Sequence, residues 1–481
     1  MSTSLARARL RFLRGFASRP ALLFAFAFAV MADPVSSVAY AIEAALRALH
    51  GDLGLLLPTM ALVVAVIALI IVNYHQLVAR FPEGGGAAAA AGRAFGEGWA
   101  FIPIGALIVD FVLTIAISAA AGASALIEFV PSLASGRVEL TVALLASVAA
   151  MTWFGHIGRM VFGLMTVGFV FAGTAVLIGA SHAHPARVGA ITHSSGHAAF
   201  VAVLLSFPVA MALATGVEAP SSAIAQLGQL DDAGRRRFGR ATLWLTLGIV
   251  GVLTIGLTAA AVRLGIGIPG VDHTQIGNLA RVTSGHGVYV FFQVTTALLL
   301  LAAASSSFQA GPGLLKALSR RASSRGLGVG ILPSWMGRSN DHHTPYWGVV
   351  LFLIVSALVA IASGANEQVL VLYYAVSVFL SFLIALLAMV RFSHQERLRG
   401  SLVMNGVGAL VVAFTLVVDL ARGRPVVAVA ASLLIAAVLY AQWVRTGRPR
   451  GIAGVLSEAE ASDRGPVRGT RTAGSRPRTL R

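Results

Sequence analysis

Long apolar runs, separated by short polar or arginine-bearing stretches, organise this chain. Twelve stand out: 21–45, 55–72, 101–130, 140–153, 161–179, 198–225, 241–262, 288–304, 347–361, 369–390, 402–418 and 426–440. A helix needs about 20 apolar residues to cross the hydrocarbon of a bilayer. Strands of a membrane barrel would alternate polar and apolar residues, and these runs do not. The pattern predicts an all-α membrane protein of about twelve transmembrane helices.

Two runs are interrupted in the same way. The first contains Asp33-Pro34-Val35-Ser36-Ser37 and the sixth Glu218-Ala219-Pro220-Ser221-Ser222. Proline removes a backbone donor and disfavours helix at the residue before it. A charge in the hydrocarbon costs at least about 2.5 kcal/mol and normally has a partner or a task. Either interruption alone reads most simply as a proline kink whose acid is satisfied internally. Together, five spans apart and crossing in opposite directions, they predict an inverted-repeat transporter with discontinuous helices 1 and 6 around a transport site, where freed carbonyls can bind an ion.

Hydroxyls and acids recur beside the breaks. Asp33, Ser37 and Tyr40 fall at i, i+4 and i+7; Thr215, Glu218 and Ser222 at i, i+3 and i+7; Asp110, Thr114 and Ser118, in span three, at i, i+4 and i+8. Each set is expected on one helical face. Carboxylate and hydroxyl oxygens suit a hard cation. Three carboxylates exceed the charge of one monovalent ion, and neighbouring acids in a low-dielectric site disfavour one another's ionised forms. One of them can therefore hold a proton, a route to proton coupling. For Asp110 the plainer alternative is an interfacial acid near a span end. Tyr373 and Tyr374 in span ten read equally well as interfacial anchors.

Composition agrees with the membrane reading. Of 481 residues, 57% are hydrophobic and 11% charged, against about 25% charged in soluble domains. The balance is 36 Lys and Arg to 19 Asp and Glu, a net +17. In a soluble protein that would suggest nucleic acid; here the arginines sit between apolar runs, so topology explains them and no nucleic-acid partner is expected. Arg7, Arg9, Arg11, Arg14 and Arg19, then Arg235, Arg236, Arg237 and Arg240, then Lys316, Arg320, Arg321, Arg325 and Arg338, then Arg391, Arg397 and Arg399 all fall on one side of a twelve-span chain. The positive-inside rule makes that side, and both termini, cytoplasmic in a bacterial inner membrane. The expected domains are a basic arm at 1–19, a transporter domain at 20–444 and a disordered basic tail at 445–481, with no soluble domain after it. The arm could pass for a signal peptide, but its apolar run is too long and lacks a cleavage site. There is no cysteine, hence no disulfide and no thiolate chemistry. No cofactor or resident metal is called for.

At this point a family resemblance enters. "RFPEGGGAAAAAGRAFG" (80–96), "DFVLTIAIS" (110–118) and "ATGVEAPSSAI" (214–224) resemble segments of the amino acid–polyamine–organocation superfamily. "DPVSSVAY" (33–40), "DFVLTIAIS" and "LAAASSSFQAGP" (301–312) are most similar to its high-affinity bacterial potassium importers. The resemblance implies the superfamily's five-plus-five repeat. It also implies a cation site of Asp33 and Tyr40 from span one, Asp110, Thr114 and Ser118 from span three, Thr215 and Glu218 from span six and Tyr374 from span ten. Phe111 departs, since those importers carry tyrosine after the span-three acid, and the cytoplasmic domain that helps them dimerise is expected to be missing, which leaves a homodimer open.

The first functional expectation is proton-coupled uptake of potassium. Its rival in the same fold is an amino-acid permease. Such permeases resemble one another in a glycine-rich first break that holds the substrate carboxylate; "ADPVSSVAY" instead presents an acid, which favours a cationic amino acid or polyamine. A metal-dependent membrane enzyme is the alternative of another class, resting on His182, His184, His193 and His197 between spans five and six. Their spacing matches no catalytic motif, and the serines of 305–307 lack a base in sequence. Gly84-Gly85-Gly86 lacks the lysine and strand of a phosphate loop and is expected to form a close-packed re-entrant turn. Residues 155–159 are expected to form a short turn between spans four and five. Glu43 and Glu128, near span ends, are expected to face water.

Overall fold

The computed structural model describes residues 19–154, 159–192, 198–323, 326–455 and 457. Most of the arm, the turn at 155–158, His193, His197 and the end of the tail lie outside the described residues.

The first apolar run folds as three pieces, α1 (Arg19–Val30), α2 (Ala32–Ser36) and α3 (Val38–Ala48). Next come α4 (Leu53–Arg80), a short α5 (Gly86–Phe95), α6 (Phe101–Phe129), α7 (Arg137–Trp153) and α8 (Arg159–His182). The sixth run is split into α9 (Ala198–Ala210), a 3₁₀ turn (Met211–Ala214) and α10 (Ala219–Ala223). The remainder is α11 (Asp232–Leu264), α12 (Gln275–Thr283), α13 (His286–Ser319), α14 (Tyr346–Ala362), α15 (Glu367–Gln395), α16 (Arg399–Ala421) and α17 (Val426–Arg445). Among the described residues, ten helical segments are long and apolar enough to cross a membrane. The 17-residue α14 and the broken first run complete the expected twelve. The protein is a multi-pass, all-α membrane protein.

The repeat is visible in the packing. Spans two and seven (α4, α11) pack along one another, as do three and eight (α6, α13), while one and six meet at their breaks. α6, α13 and α15 form the interior. α8, α14, α16 and α17 turn side chains such as Leu164, Ile354, Leu410 and Leu434 outward, as a lipid-facing helix must. With no hydrophobic effect between helices inside a bilayer, polar pairs and small residues hold them together. Asn73 of α4 donates to Asn405 of α16 at 3.1 Å, and a Cβ on Gly105 of α6 would lie 2.4 Å from the Ser432 carbonyl of α17.

Three features amend the sequence-based picture. A two-stranded hairpin, β1 (Arg320–Ser323) with β2 (Gly326–Val329), pairs Arg320 with Val329 after α13; the chain here is beyond the span, and its own main chain supplies the partners. α13 runs to Ser319 rather than 304, because Gly311 and Pro312 pack against Phe352 and Gly348 of α14 and the helix continues through the proline. The start of the tail is ordered: Trp443 Nε1 donates to the Pro449 carbonyl at 2.8 Å, Glu97 accepts from the Gly451 and Ala453 amides, and Ile452 and Val455 are buried. Apolar residues there have a surface to cover, so the chain keeps an ordered path past 445 as far as Val455.

Candidate functional site

The two breaks differ in depth. In span one the backbone leaves helix only at Met31 (φ −81°, ψ 0°) and Ser37 (φ −65°, ψ −21°). Ser36 Oγ donates to the Asp33 carbonyl and Ser37 Oγ to that of Pro34, both at 2.7 Å. The paired serines thus bond back onto carbonyls of their own turn, as serines within a helix do; the carbonyl that Pro34 leaves without a helix donor is that of Val30, four residues earlier. Asp33, Ser37 and Tyr40 keep roughly one face.

Span six is opened fully. After the 3₁₀ turn, Thr215 is extended (φ −61°, ψ 139°), Gly216 is left-handed (φ +70°), and Glu218 precedes α10 as its N-cap. The helical stripe expected for Thr215, Glu218 and Ser222 is thus broken, because no helix connects them. Thr215 Oγ1 donates to the Ala212 carbonyl at 2.8 Å, leaving its lone pairs free. Ser222 faces elsewhere: a Cβ on Gly86 would lie 2.9 Å from its Oγ, and one on Gly84 2.8 Å from its carbonyl. The Gly84–Gly86 turn, with φ positive at all three positions, is a close-packed support for α10.

The breaks touch. A Cβ on Gly216 would lie 2.7 Å from Asp33 Oδ2 and 2.8 Å from Pro34 Cδ, and Ser37 Oγ also reaches the Leu213 carbonyl at 3.2 Å. From the other side, Thr114 of α6 and Tyr374 of α15 share a hydrogen bond of 2.6 Å. Tyr40, Tyr374, Thr114, Ser118, Asp110, Thr215 and Glu218 are all buried, and Asp33 is half-buried. Asp33 and Asp110 are within electrostatic reach of both tyrosines, and Asp110 is within reach of Asp33 and Glu218. The residues expected at the site thus gather where α2, α6, α15 and the opened span six meet. Phe111 points away, its ring 6.4 Å from that of Phe352.

Each of these acids has an oxygen without a partner. Asp33 Oδ1, Asp110 Oδ1 and Glu218 Oε2 are buried without a hydrogen bond, and none of the three acids forms an ion pair among the described residues. An ionised carboxylate in that condition is costly, so the arrangement calls for a proton or a cation from outside. No three His, Asp or Glu side chains among the described residues are grouped closely enough to hold a metal ion.

Several residues escaped sequence reasoning. Glu43 and Glu128, expected to face water, are buried and grip the start of α12. Glu43 Oε1 accepts from Arg47 Nε at 2.7 Å and its Oε2 from the Gln275 amide at 2.9 Å. Glu128 Oε2 accepts from the Thr274 amide at 3.0 Å and from Thr274 Oγ1 at 2.6 Å. Carboxylates complement the exposed amides of a helix N-terminus. Beneath α12, Tyr40, Glu43, Ala121, Ile276 and Glu367 border a narrow gap of about 10 Å³, so α12 closes over an approach to the site. Tyr74, fully buried in α4, is within electrostatic reach of Glu218. Nothing local marks these roles, since Glu128 and Glu43 find their partners 146 and 232 residues away.

A consequence is measurable. Glu43→Gln exchanges the charged acceptor for a neutral one, and a charge-assisted bond is worth roughly twice a neutral one. A single cysteine at Ala121, unique in a chain without cysteine, should react several-fold faster with a small polar thiol reagent in the Glu43→Gln background. An unchanged rate would contradict the covering role of α12.

A family model described as "Amino acid permease" matches residues 22–443. Among curated proteins, the potassium transporter KimA of Bacillus subtilis (strain 168) is 25% identical over 396 residues, covering 79% of this chain and 63% of that protein. The chain thus spans less than two thirds of that relative's length. Among solved structures, a mutant manganese transporter of Eremococcus coleocola aligns with a TM-score of 0.48 and 12% identity, covering 88% of this chain and 94% of the other.

Proposed function

The chain belongs to the amino acid permease family, and on that premise we propose that it takes up potassium, or a similar monovalent cation, together with protons by alternating access. One observation carries the reading: three acids, each with a buried and unpartnered oxygen and, among the described residues, no cationic side chain paired to it, beside the hydroxyls of Thr114, Thr215, Tyr40 and Tyr374. Asp33 and Tyr40 would contact the ion with Thr114, Ser118, Thr215 and Tyr374, and Glu218 or Asp110 would carry the proton. The similarity to a potassium transporter supports the cation, and the missing glycines of the first break argue against a substrate carboxylate there. The arginine-rich loops would face the cytoplasm of a bacterial cell, with both termini inside, and residues 20–444 would be the transport unit.

A second reading has its own support. The matching family model is described by amino-acid transport, and the acids of this site would accept a cationic amino acid or a polyamine. Growth separates the two. A bacterium that lacks its own potassium uptake and expresses this chain should grow at low external potassium. No rescue by a protein shown to be in the membrane, with uptake of labelled arginine or putrescine instead, would favour the second reading.

A smaller prediction concerns Thr114. Thr114→Val keeps the shape and removes the hydroxyl that bonds Tyr374. Loss of one such bond and one ligand oxygen should weaken apparent ion affinity about tenfold, with little change in the amount of protein in the membrane. Equal concentration dependence of uptake in the two proteins would remove Thr114 from the site.

A further inference from the structure

We propose that a cleft between α9, α15 and the turn after α16 seats the headgroup of a phospholipid carrying both an ammonium and a phosphate, of the phosphatidylethanolamine kind. The cleft has a volume of about 190 Å³, with walls of Val209, Val371 and Leu372 and a polar mouth of Asp419, Arg422 and Arg424. Asp419 is the anomaly. It is 3% exposed, its Oδ2 has no hydrogen-bond partner, and it stands in the last turn of α16, where the helix dipole disfavours an anion. Arg422 resolves this only in part: its charge is within electrostatic reach of Asp419, but its Nη1 donates to the Leu205 carbonyl at 2.7 Å, and among the described residues no ion pair joins the two side chains. A carboxylate so placed calls for a positively charged N–H donor. A bare cation would meet two arginines, and a free phosphate would meet Asp419. A zwitterion answers both, its ammonium toward Asp419 and its phosphate toward Arg422 and Arg424, whose guanidinium groups suit phosphate.

The position fits a lipid rather than a free solute. The mouth lies at the end of a membrane helix, at headgroup depth, and Leu205, Val426 and Val427 beside it are exposed apolar side chains that acyl chains would cover. The walls also adjoin the site. Val209 lies just before the turn that opens span six, and Leu372 is two residues from Tyr374. An occupant would bridge the helices that form the site.

The test uses the purified full chain, stripped of lipid in detergent. Native mass spectrometry compares retention of phosphatidylethanolamine, phosphatidylcholine and phosphatidylglycerol with identical acyl chains. Phosphatidylethanolamine should be retained best, because phosphatidylcholine lacks the N–H donors and phosphatidylglycerol the ammonium. Asp419→Asn and Arg424→Gln should each lower its retention about tenfold, the loss of one charge-assisted contact, while Arg445→Gln, at the far end of α17, should not. Arg424 is exposed, so its variant carries the test even where Asp419→Asn folds poorly. Equal or better retention of phosphatidylglycerol, or unchanged retention in Arg424→Gln, would overturn the proposal. Competition by water-soluble glycerophosphoethanolamine as strong as by the lipid would overturn the lipid as the occupant.

Discussion

Asp33→Asn abolishes uptake while the protein reaches the membrane in normal amount. Both halves of this expectation follow from the surroundings of the carboxylate. At about 4 Å from a monovalent ion, in a partly screened interior, one negative charge contributes on the order of 4 kcal/mol. Its loss lowers affinity about a thousandfold, below detection at low external potassium. Stability should be kept because no cationic side chain is paired to Asp33. Removing one member of a buried ion pair strands the other, and here nothing is stranded. Asparagine also has nearly the same shape, so the contact with Gly216 survives. The measurement is potassium-dependent uptake alongside quantitative detection of the protein in isolated membranes. Wild-type uptake would remove Asp33 as an ion ligand; loss of both protein and uptake would make it a folding residue.

Gly216→Ala is the second large effect, and it should damage structure as well as transport. Gly216 has φ +70°, a region that costs an L-residue about 1–2 kcal/mol. The added Cβ would also lie 2.7 Å from Asp33 Oδ2, 2.8 Å from Pro34 Cδ and 2.9 Å from Asp33 Cγ. None of these atoms is the loose end of a flexible chain: Pro34 is a ring in the backbone, and Asp33 is fixed between the two breaks. Overpacking of this kind costs roughly 1–3 kcal/mol. The two terms together should lower the thermal midpoint of the purified protein and eliminate uptake. Gly248→Ala is the control. Gly248 lies in the interior of α11 with nothing within 4 Å of the new Cβ, so alanine should be neutral or stabilise the helix by up to about 1 kcal/mol. Equal midpoints for the two variants would mean that spans one and six do not meet as tightly as described.

Most of the framework could be read from the chain. Runs of apolar residues mark membrane helices because the bilayer admits little else, and α4, α8 and α16 lie where the runs place them. The breaks were legible because proline and acid are rare together in such a run. Their depth was not. Asp33-Pro34 and Ala219-Pro220 look alike in sequence, yet Ser36 and Ser37 hold span one nearly helical, while Thr215 and Gly216 let span six open. The Thr215, Glu218 and Ser222 pattern failed for that reason, since i, i+3 and i+7 share a face only if a helix connects them. The gathering of Asp33, Asp110 and Glu218 with Tyr40 and Tyr374 was anticipated from the resemblance, but the Thr114 to Tyr374 bond, spanning 260 residues, has no local signal. Glu43, Glu128 and α12 were invisible for the same reason. So was the ordered start of the tail, which depends on Glu97 standing ready for the Gly451 and Ala453 amides.

The central claim is that these acids bind a monovalent cation and that a proton moves with it. The most direct measurement is rubidium uptake into proteoliposomes of the purified chain, with a pH-sensitive dye inside and an acidic exterior imposed. The account predicts rubidium entry driven by the pH gradient, competed by potassium and not by arginine, with acidification of the interior that requires rubidium and is absent in Asp33→Asn. Arginine entry with the same proton signal, and no rubidium entry, would contradict it.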